Sequence, residues 1–599
     1  MELYIPTGNE VVSLPTINEE TAAIESVSFL YMAQKGMIEL RGNSAAPLMT
    51  PFVQQIMPDG RSAEQALTDL GWHREHDWIT KMSAWAGDVR IDITILAPVG
   101  ERGFALRLSV RSDSPAQVRF GLRGCWSSAL HCVNEDKELE GTKHCYRSGW
   151  NNSIVFDFRC GGPLFALAPM ADRDVDSRFS LEDGAVRYSL SCDAVLSDKP
   201  ETVTFFWGLG FEEVAAATSA KEMLRRGWEW EYAKTAAWLD HRAYRFADPR
   251  LSQIYNTNLF FCIFYSTGIT LDTEELVCVT SRSSRYYVSA AYWDRDTLLW
   301  AFPAILEADP PLARQMLEYV FTKQRHNIGT HSRYIDGTVL EPGFELDELL
   351  APVLALDAYI RVSGDRAFLS EPFVRDSLRS ILKKLEAAKA PDTELYETFL
   401  QPTDDEHVYP YLCYDNVLVW AALNKLSALM PAEYGWCAEK AVRVRQAVYD
   451  NFVFADPEGK KYFGWSVDLA GNHDVYDEPP GSLQLLPYYG FCDSRDEIWL
   501  NTVEMIRSAD YPFSFAGMPV AEIGCPHAPY PWLLSLCNSL LSGHARQAWR
   551  ELEEIKLDND IACESVDPVT GECRTGAAFA TCAGFLCHAM RTADREMLP

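Results

Sequence analysis

The sequence predicts a multidomain α and β protein in which an N-terminal antiparallel β-sandwich precedes an all-helical domain. Between about residues 20 and 210, short segments alternate apolar and polar side chains with a period of two, as half-buried strands do. After about residue 246, apolar residues recur at three- and four-residue spacing, the period of an amphipathic helix. With 599 residues the chain exceeds the size that one hydrophobic core supports, so at least two domains are expected.

The predicted strands are separated by Gly, Pro, Asn and Asp, which favours hairpin connections over strand-helix-strand units. We place the β-sandwich at residues 1–212. From Ala215 to Arg245 strong helix formers dominate, and we interpret residues 213–245 as a helical linker. The clearest strand candidates are Val89–Ile95, Ala105–Val110, Val118–Leu122, Ser153–Phe158 and Val203–Trp207.

The remaining residues, 246–599, contain eleven helix candidates. This number is close to the twelve helices of an (α/α)6 toroid, in which loops at one end of six inner helices surround a pocket. We therefore predict a toroidal catalytic domain and place the chemistry in those loops. The candidates are Leu251–Tyr265, Thr297–Leu306, Pro311–Thr322, Leu346–Val362, Val374–Ala387, Asn416–Leu429, Ala438–Asn451, Glu497–Ser508, Tyr530–Leu541, Arg546–Leu557 and Gly576–Thr592.

Composition argues against several classes of partner. A net charge of −31, from 85 acidic and 54 basic residues, opposes general affinity for nucleic acid or an anionic membrane. Met1 to Asn9 lacks the features of a signal peptide, and uninterrupted apolar stretches of membrane-spanning length are absent, so we expect a cytoplasmic protein. The 16 cysteines match no zinc-site spacing and are interpreted as buried thiols. The oligomeric state is left open.

The segment Tyr292–Thr297, with the sequence Tyr-Trp-Asp-Arg-Asp-Thr, directly precedes a predicted helix. Asp296 could simply cap that helix. Alternatively, the aromatic residues offer a platform for the C–H face of a sugar, and the Arg and Asp residues offer fixed hydrogen-bonding groups for its hydroxyls. The stretch resembles the Trp-x-Arg-Asp loop of glucoamylases and glycogen-debranching-type enzymes. The resemblance implies that Arg295 and Asp296 bind the sugar at the nonreducing end.

A second segment, Pro402–Asp405, is followed by three tyrosines at 409, 411 and 414. It is similar to the Pro-Ser-Asp-Asp segment of the exo-α-mannosidases of glycoside hydrolase family 125, and to the Ser-Gly-x-Asp segment of family 63. In both families the Asp is the general acid, which implies this role for Asp404, with Asp405 as the alternative. Burial among the tyrosines would keep such a carboxyl protonated. A solvated loop or a helix cap is the ordinary explanation of two adjacent acids.

A third segment, Glu564–Gly571, precedes the last predicted helix. It resembles the Glu-x-x-x-Pro-x-Thr-Gly stretch of family 63, whose Glu activates water, and this implies that Glu564 is the general base. The same residues would also make an ordinary turn. Glu522–His527 with Trp532 beyond is similar to the Gly-x-Gly-x-Pro-His segment that precedes a Trp in family 125, so His527 and Trp532 are expected to line the pocket.

A further acidic group, Asp336, Glu345, Asp347 and Glu348, precedes or begins a helix, where the helix dipole favours negative charge. Asp347 is nevertheless a candidate for binding sugar hydroxyls. Together these segments resemble the six-hairpin toroid glycosidases. The predicted substrate-binding residues are Tyr292, Trp293, Asp294, Arg295, Asp296, Asp347, Asp405, Tyr411, His527 and Trp532.

The resulting hypothesis is an exo-acting, inverting α-glycosidase that hydrolyses a terminal α-linked glucose or mannose from an oligosaccharide or small glycoside. Asp404 protonates the leaving oxygen and Glu564 activates a water, with about 6.5–9.5 Å between the two carboxyls. Neither a metal nor a cofactor is required, because two carboxylates suffice for the proton transfers. Three alternatives stay open: an inverting phosphorylase, a sugar epimerase or lyase, and a non-catalytic carbohydrate-binding protein.

Overall fold

The structure is a computed structural model that describes residues 3–43, 45–57, 61–197 and 199–597. The chain divides into two compact units. The first, here called the β-rich unit, comprises Met1–Ala243, Thr267–Val277 and Arg282–Ala290. The second, the helical unit, comprises Tyr244–Ser266, Cys278–Ser281 and Ala291–Pro599. The bounds predicted from sequence, 1–212, 213–245 and 246–599, stay predictions.

The β-rich unit is built mainly from antiparallel strands, as the alternating pattern predicts. The strands are β1 Tyr4–Gly8, β2 Val12–Asn18, β3 Ser26–Tyr31, β4 Gly36–Arg41, β5 Thr50–Ile56, β6 Ser62–Gln65, β7 Leu67–Glu75, β8 Ile79–Ala86, β9 Val89–Leu96, β10 Gly103–Arg111, β11 Ala116–Trp126, β12 Ser128–Val133, β13 Glu135–Glu138, β14 Thr142–Arg147, β15 Ile154–Cys160, β16 Gly162–Ala171, β17 Asp176–Glu182, β18 Ala185–Leu196 and β19 Glu201–Gly210.

The strands of the β-rich unit enclose one large hydrophobic core. Their sheets have the orders β1-β2-β3-β4-β12-β13, β14-β15-β16-β19-β10-β9-β8-β7 and β17-β18-β11-β5-β6. On β9 alternate side chains point inward, and Ile91, Ile93 and Ile95 are fully buried. Trp126 and Trp207 are fully buried in this core. The predicted N-terminal antiparallel β-domain is confirmed.

The segment interpreted as one helical linker consists of two helices, α1 Glu213–Arg226 and α2 Trp228–Arg242. They are separated by Gly227, whose φ of +84° lies in a region that favours glycine over residues with a side chain. Helix α1 packs on β16 and β19, so it belongs to the β-rich unit. The apolar periodicity is helical on both sides of Gly227, so the sequence pattern does not indicate where one helix ends and the next begins.

The helical unit contains the following helices: α3 Pro249–Ser266, α4 Phe302–Ala308, α5 Pro310–Tyr319, α6 Leu346–Ser363, α7 Pro372–Ala387, α8 Cys413–Leu429, α9 Pro431–Tyr434, α10 Cys437–Phe452, α11 Glu497–Ile506, α12 Leu533–Leu541, α13 Ala545–Glu554 and α14 Ala580–Met597. Short strands also follow α3: β20 Thr267–Ile269, β21 Leu276–Cys278, β22 Thr330–Arg333, β23 Val339–Phe344, β24 Tyr411–Leu412, β25 Val453–Ala455, β26 Lys461–Phe463, β27 Ser466–Val467, β28 His473–Asp474, β29 Ser565–Val566 and β30 Cys573–Thr575.

Burial separates the helices of this unit into two kinds. Helices α6, α8 and α12 are buried on almost every side, whereas α7, α10 and α13 bury one face only, as a solvent-facing helix does. The last helix, α14, packs on the first, α3, and α6 packs on α8. The C-terminal region is therefore helical, as predicted.

The N-terminal ends of the buried helices carry the predicted site residues. A π-helical turn, Arg295–Ala301, leads into α4, and the acidic stretch at 345–348 begins α6. The loop that carries Asp404 leads to α8, and Trp532 directly precedes α12. Within the described residues, no helix combines the length and the apolar character that crossing a membrane requires.

Candidate active site

Arg295 is the centre of a buried cluster of carboxyl groups. Its side chain is 1% exposed, and its Nε donates to Asp347 Oδ2 at 2.5 Å. Its Nη1 donates to Asp404 Oδ1 at 2.9 Å, and its Nη2 donates to Glu345. The planar guanidinium thus joins the start of α6 to the loop that carries Asp404, a geometry that a lysine ammonium does not reproduce.

The backbone around Arg295 is fixed by a second layer of buried charges. The N–H groups of Asp294 and Arg295 donate to the two oxygens of Glu348, at 2.5 and 3.0 Å. Arg333 forms an ion pair with Asp294, and the hydroxyl of Tyr292 donates to the same carboxylate at 2.6 Å. Burial raises the pKa of Glu348 well above its usual range. These contacts give the π-helical turn at 295–301 a defined orientation.

Asp404 reaches this cluster from a loop with unusual backbone geometry. Its φ is +64°, in the left-handed region that non-glycine residues seldom adopt. Burial raises its pKa to about 6, Arg295 lowers it, and the nearby carboxylate of Glu345 raises it. The side chain still keeps 38% of its exposure, so solvent or a ligand reaches this carboxyl. His331 Nδ1 lies 3.6 Å from its Oδ1.

The Asp404 loop is held in place by Glu478. The backbone N–H of Thr403 donates to Glu478 Oε1 at 2.9 Å, and the Thr403 hydroxyl donates to Oε2 at 2.8 Å. Glu478 is fully buried, and burial raises its pKa well above the usual range. Nearby, a Cβ on Gly481 would lie 2.5 Å from Pro402 Cγ, so glycine is required for this close approach.

A second group of side chains extends from Asp405 to Glu564. His527 Nδ1 lies 2.8 Å from Asp405 Oδ2, and His527 Nε2 lies 3.9 Å from Glu564 Oε1. The hydrogen bond to Asp405 and the nearby carboxylate of Glu564 raise the pKa of His527 to about 10. The imidazole is therefore a cation at neutral pH, placed between two carboxylates. Since Asp404 and Asp405 are consecutive, this contact chain connects the two predicted catalytic residues.

Glu564 is supported by the segment before α12. The N–H of Leu533 donates to the Glu564 carbonyl at 3.0 Å, and Trp532 forms a β-bridge with Ser565. The ring of His527 lies 5.4 Å from that of Trp532, centroid to centroid. The Glu564 side chain is 3% exposed, so it is nearly enclosed. These contacts fix its backbone against the loop that carries His527.

Two further carboxyls of the cluster are buried. Thr581 Oγ1 donates to Asp296 Oδ1 at 2.7 Å, and burial raises the pKa of Asp296 to about 7. Asp415, at the start of α8, is 1% exposed, and burial followed by the nearby Asp347 raises its pKa well above the usual range. Asp415 is therefore a neutral acid near neutral pH, whereas Asp296 titrates close to neutral pH.

Two sets of side chains are close enough together to hold a metal ion: Asp405 with Cys525 and His527, and His331 with Glu345 and Asp404. In the first set, burial raises the pKa of Cys525 to about 12, and a protonated imidazole occupies the third position. In the second set, the Arg295 guanidinium already binds two of the three groups. Because metal ligands must be deprotonated and free to bind, neither donor set suits a metal at neutral pH.

Comparison with known proteins gives related folds. The sequence model of one family, described as metal-independent alpha-mannosidase (GH125), matches residues 388–590, about a third of the chain. A curated protein, the Meiotically up-regulated gene 157 protein of Schizosaccharomyces pombe, is 26% identical over 143 residues, which are 23% of this chain and 28% of that protein. The chain thus matches little more than a quarter of that relative's length.

Solved structures cover more of the chain. A metal-independent α-mannosidase from Streptococcus pneumoniae, in complex with α-1,6-mannobiose, matches 58% of this chain and 94% of its own, at 17% identity and a TM-score of 0.50. A bacterial glucoamylase in complex with acarbose matches 99% of this chain and 95% of its own, at 12% identity and a TM-score of 0.63. A putative kojibiose phosphorylase from the human microbiome matches 98% and 86%, at 11% identity and 0.62.

The fold is that of the six-hairpin glycosidase superfamily. The three structures share this (α/α)6 toroid, and the two longer ones align with the β-rich part of this chain as well. The predicted fold class, an antiparallel β-domain followed by an (α/α)6 toroid, is confirmed.

Within this six-hairpin fold, most of the predicted residues fall into two groups, and the side chains within each group are in contact. Arg295 joins Asp347 to Asp404, and His527 joins Asp405 to Glu564 and packs beside Trp532. Trp293 is 3% exposed and meets the edge of the His331 ring at 5.7 Å. Tyr411 is half-buried on β24, which pairs with β27.

Tyr292 and Asp294 are bound to other side chains of the protein. Both are fully buried, and their polar atoms bind each other and Arg333. The N–H groups of Arg295 likewise donate to carboxylates of the protein. The geometry favours supporting roles for these three side chains over direct contact with a sugar.

Several residues of the six-hairpin site carry no signal in the sequence. Glu478 precedes two prolines, and His331 and Arg333 lie on a short strand, none of which marks a functional group. Glu345 and Glu348 could only be read as acids at a helix start. Each gains its role from a partner between 14 and 75 positions away, which spacing along the chain does not reveal.

Proposed function

We propose that this chain is an exo-acting, inverting α-glycosidase that removes a terminal α-linked hexose, mannose or glucose. The observation that supports this most directly is the contact chain Asp404-Asp405, His527, Glu564, with distances of 2.8 and 3.9 Å on either side of the imidazole. This chain of contacts links Asp404, a carboxyl whose pKa is raised, to Glu564, a carboxyl with the His527 cation beside it. Inverting hydrolysis requires such a pair on opposite sides of one glycosidic bond.

Asp404 is proposed as the general acid. Its pKa of about 6 makes its protonated fraction near neutral pH much larger than that of an ordinary Asp carboxyl, and its 38% exposure lets it approach a leaving oxygen. Arg295 fixes the carboxyl by a hydrogen bond to one oxygen, Oδ1. After the proton leaves, the guanidinium stabilises the resulting carboxylate, so the same contact serves both protonation states.

Glu564 is proposed as the general base. It takes a proton from a water that attacks the anomeric carbon from the face opposite the leaving group. The near enclosure of its side chain, at 3% exposure, limits that water to a defined position. His527 lies beside Glu564 as a cation and orients it through the contact at 3.9 Å.

The substrate class is proposed from the relatives. The family model describes α-mannosidases that need no metal, and one solved structure holds α-1,6-mannobiose, which favours an α-mannoside. The glucoamylase holds acarbose, which keeps α-glucosides in the proposal. Asp296 and Asp347 are proposed to bind hydroxyls of the terminal sugar, since each lies beside Arg295 at the start of a buried helix.

An inverting phosphorylase is the second candidate, favoured by the similarity to a putative kojibiose phosphorylase. In that reaction phosphate replaces water at the position beside Glu564. A carboxylate at this position repels an oxyanion, whereas a phosphorylase needs cations or backbone N–H groups there. Formation of a sugar 1-phosphate from substrate plus inorganic phosphate would decide for the phosphorylase.

The test is a panel of α-linked mannose and glucose disaccharides, with the anomer of the released sugar followed by NMR. We expect hydrolysis with release of the β-anomer. Asp404→Asn and Glu564→Gln should each lower kcat by about 10²- to 10⁴-fold, the usual contribution of a general acid or base. Glu406→Gln, at an exposed position of the same loop, is the matched control and should retain activity.

Three results would contradict the proposal. Release of the α-anomer would exclude inversion. Full activity in Asp404→Asn would move the acid role to Asp405 or elsewhere. Sugar binding without hydrolysis by the native chain and both variants would favour a carbohydrate-binding protein.

A further inference from the structure

A large cavity of about 770 Å³ is formed only by residues of the β-rich unit. This volume lies within the range of about 300–1,000 Å³ found for small-molecule sites. None of the residues that line it takes part in the candidate active site. The cavity is therefore separate from the candidate active site.

Its floor is the outward face of four neighbouring strands, in the order β10-β9-β8-β7. On these strands the inward side chains fill the hydrophobic core, and the alternate ones turn into the cavity. The strand register sets polar side chains in rows across the sheet. One row consists of His73, Lys81, Thr94 and Arg107, and the next of Ser83, Asp92 and Ser109.

One wall of the cavity is aromatic. Trp228 and Tyr232 stand one turn apart on α2, with ring centroids 6.0 Å apart and planes inclined by 33°. The Arg107 guanidinium lies 5.3 Å from the centre of the Trp228 ring. The Tyr232 hydroxyl donates to Glu75 at 2.7 Å. Both rings are thus held in defined positions.

The charges in the cavity balance pair by pair. Each of three cations contacts a carboxylate that also lines the cavity: Lys81 with Glu75 at 2.9 Å, Arg90 with Asp92 at 3.3 Å, and Arg107 with Glu229 at 2.8 Å. A ligand therefore meets alternating donors and acceptors and no excess of either charge among these pairs. A polyanion would face three carboxylates, and an apolar ligand would strip water from three ion pairs.

We propose that this cavity binds a neutral oligosaccharide at a site separate from catalysis. Sugar hydroxyls both donate and accept, which matches the mixed rows of the floor, and the C–H face of a pyranose packs against aromatic rings such as those of the wall. The ligand class follows from this chemistry. Only the choice of α-linked probes below rests on the proposed function.

The test uses the full-length chain with Asp404→Asn, so that bound sugar is not cut, and calorimetric titration with maltoheptaose and with α-1,6-linked mannotriose. We expect two binding events per chain for at least one of these sugars. Adding Trp228→Ala should weaken one of them at least tenfold. Trp230→Ala, on the same helix but 59% exposed and outside the cavity, should leave both unchanged.

A second variant keeps the proposal testable if Trp228→Ala does not fold. Ser83→Phe narrows the cavity floor without removing the aromatic wall, and it should also weaken the same event at least tenfold. With Asp404 intact, Trp228→Ala should hydrolyse disaccharides at the native rate. Binding that is unaffected by both variants, or no binding of either sugar, overturns the proposal, as does displacement of bound sugar by citrate.

This design separates the two proposals. If no disaccharide is hydrolysed but one binding event is still sensitive to Trp228→Ala, the glycosidase proposal fails and the cavity proposal stands. If hydrolysis occurs and Trp228→Ala leaves every binding event of the Asp404→Asn chain unchanged, the glycosidase proposal stands and the cavity proposal fails.

Discussion

At the scale of single residues, protonation of Asp404 governs the proposed reaction. Burial sets its pKa near 6, and only the protonated form donates to the leaving oxygen. The active fraction is therefore full below that pKa and falls as the pH rises through it. Arg295 and Glu345 act on this carboxyl with opposite sign, so its pKa depends on the whole cluster.

We predict that kcat/KM for an α-linked substrate falls by about tenfold per pH unit above pH 6–7, because kcat/KM reports the free enzyme. A profile from pH 4 to 9, in buffers of constant ionic strength, measures this limb. His331→Gln should move this falling limb of the profile to higher pH, because the imidazolium of His331 lowers the pKa of Asp404. Activity that stays constant up to pH 9 would contradict Asp404 as the acid.

The Thr403 hydroxyl offers a test of how the acid is positioned. Thr403 directly precedes Asp404, and its hydroxyl donates to Glu478 Oε2 at 2.8 Å. Thr403→Val keeps the shape of the side chain but loses this hydrogen bond, worth about 1 kcal/mol. We predict that kcat falls by roughly fivefold or more with KM little changed, measured by steady-state kinetics.

Thr403→Ser is the matched control, since it keeps the hydroxyl and should stay close to the native rate. Glu478→Gln presents an amide where one acceptor oxygen stood, so it should lower kcat as Thr403→Val does. Equal rates in the Val and Ser variants would show that this contact does not position Asp404.

At the scale of elements, the π-helical turn at 295–301 and the start of α6 form one electrostatic assembly. Arg295 interacts electrostatically with seven carboxyls: Glu345, Asp347, Glu348, Asp404, Asp296, Asp415 and Glu478. The guanidinium is the group that makes their joint burial tolerable. Helix N-termini, which favour negative charge, add to this effect.

We predict that Arg295→Met destabilises the fold by about 3–5 kcal/mol, the cost of leaving buried carboxylates without their cation. The loss should be larger at pH 7.5 than at pH 5. Without the guanidinium the carboxyls keep their protons to higher pH in the folded state, so the folded state loses stability as the pH rises. Denaturant unfolding at both pH values measures the difference.

Arg361→Met is the control for this experiment. Arg361 pairs with Asp357 at 2.9 Å but is 65% exposed, so its removal should cost less than about 1 kcal/mol. An equal loss in both variants, or a loss independent of pH, would contradict the role assigned to Arg295.

Secondary structure in the helical unit follows closely from the sequence. Each of the eleven predicted helices has a counterpart, because long apolar periodicity is a strong local signal. The helix predicted at Thr297–Leu306 differs in its winding, since its first turn is π-helical and the regular helix starts at Phe302. Sequence periodicity does not distinguish these two windings over one turn.

At the scale of the whole molecule, the cysteines give a further test. All 16 cysteines lie in the described part of the chain and are free thiols, most of them buried. We predict that a thiol reagent titrates 16 groups in denaturant, and that in the native state Cys160, which is exposed, reacts first. Cys160→Ser should remove the fast phase.

A titre well below 16 in denaturant without reductant would show disulfides that the fold does not contain. A fast native reaction that persists in Cys160→Ser would assign the accessible thiol elsewhere.

The sequence by itself determined the order of the two structural classes and the loops in which the candidate acid and base lie. Both are local properties, carried by periodicity and by short motifs of a few residues. Only the tertiary structure decided which carboxyls share Arg295, which of them Glu478 and His527 support, and that Tyr292 and Asp294 are enclosed. The physical reason is that burial and charge set these roles, and both depend on side chains that come together only when distant loops meet.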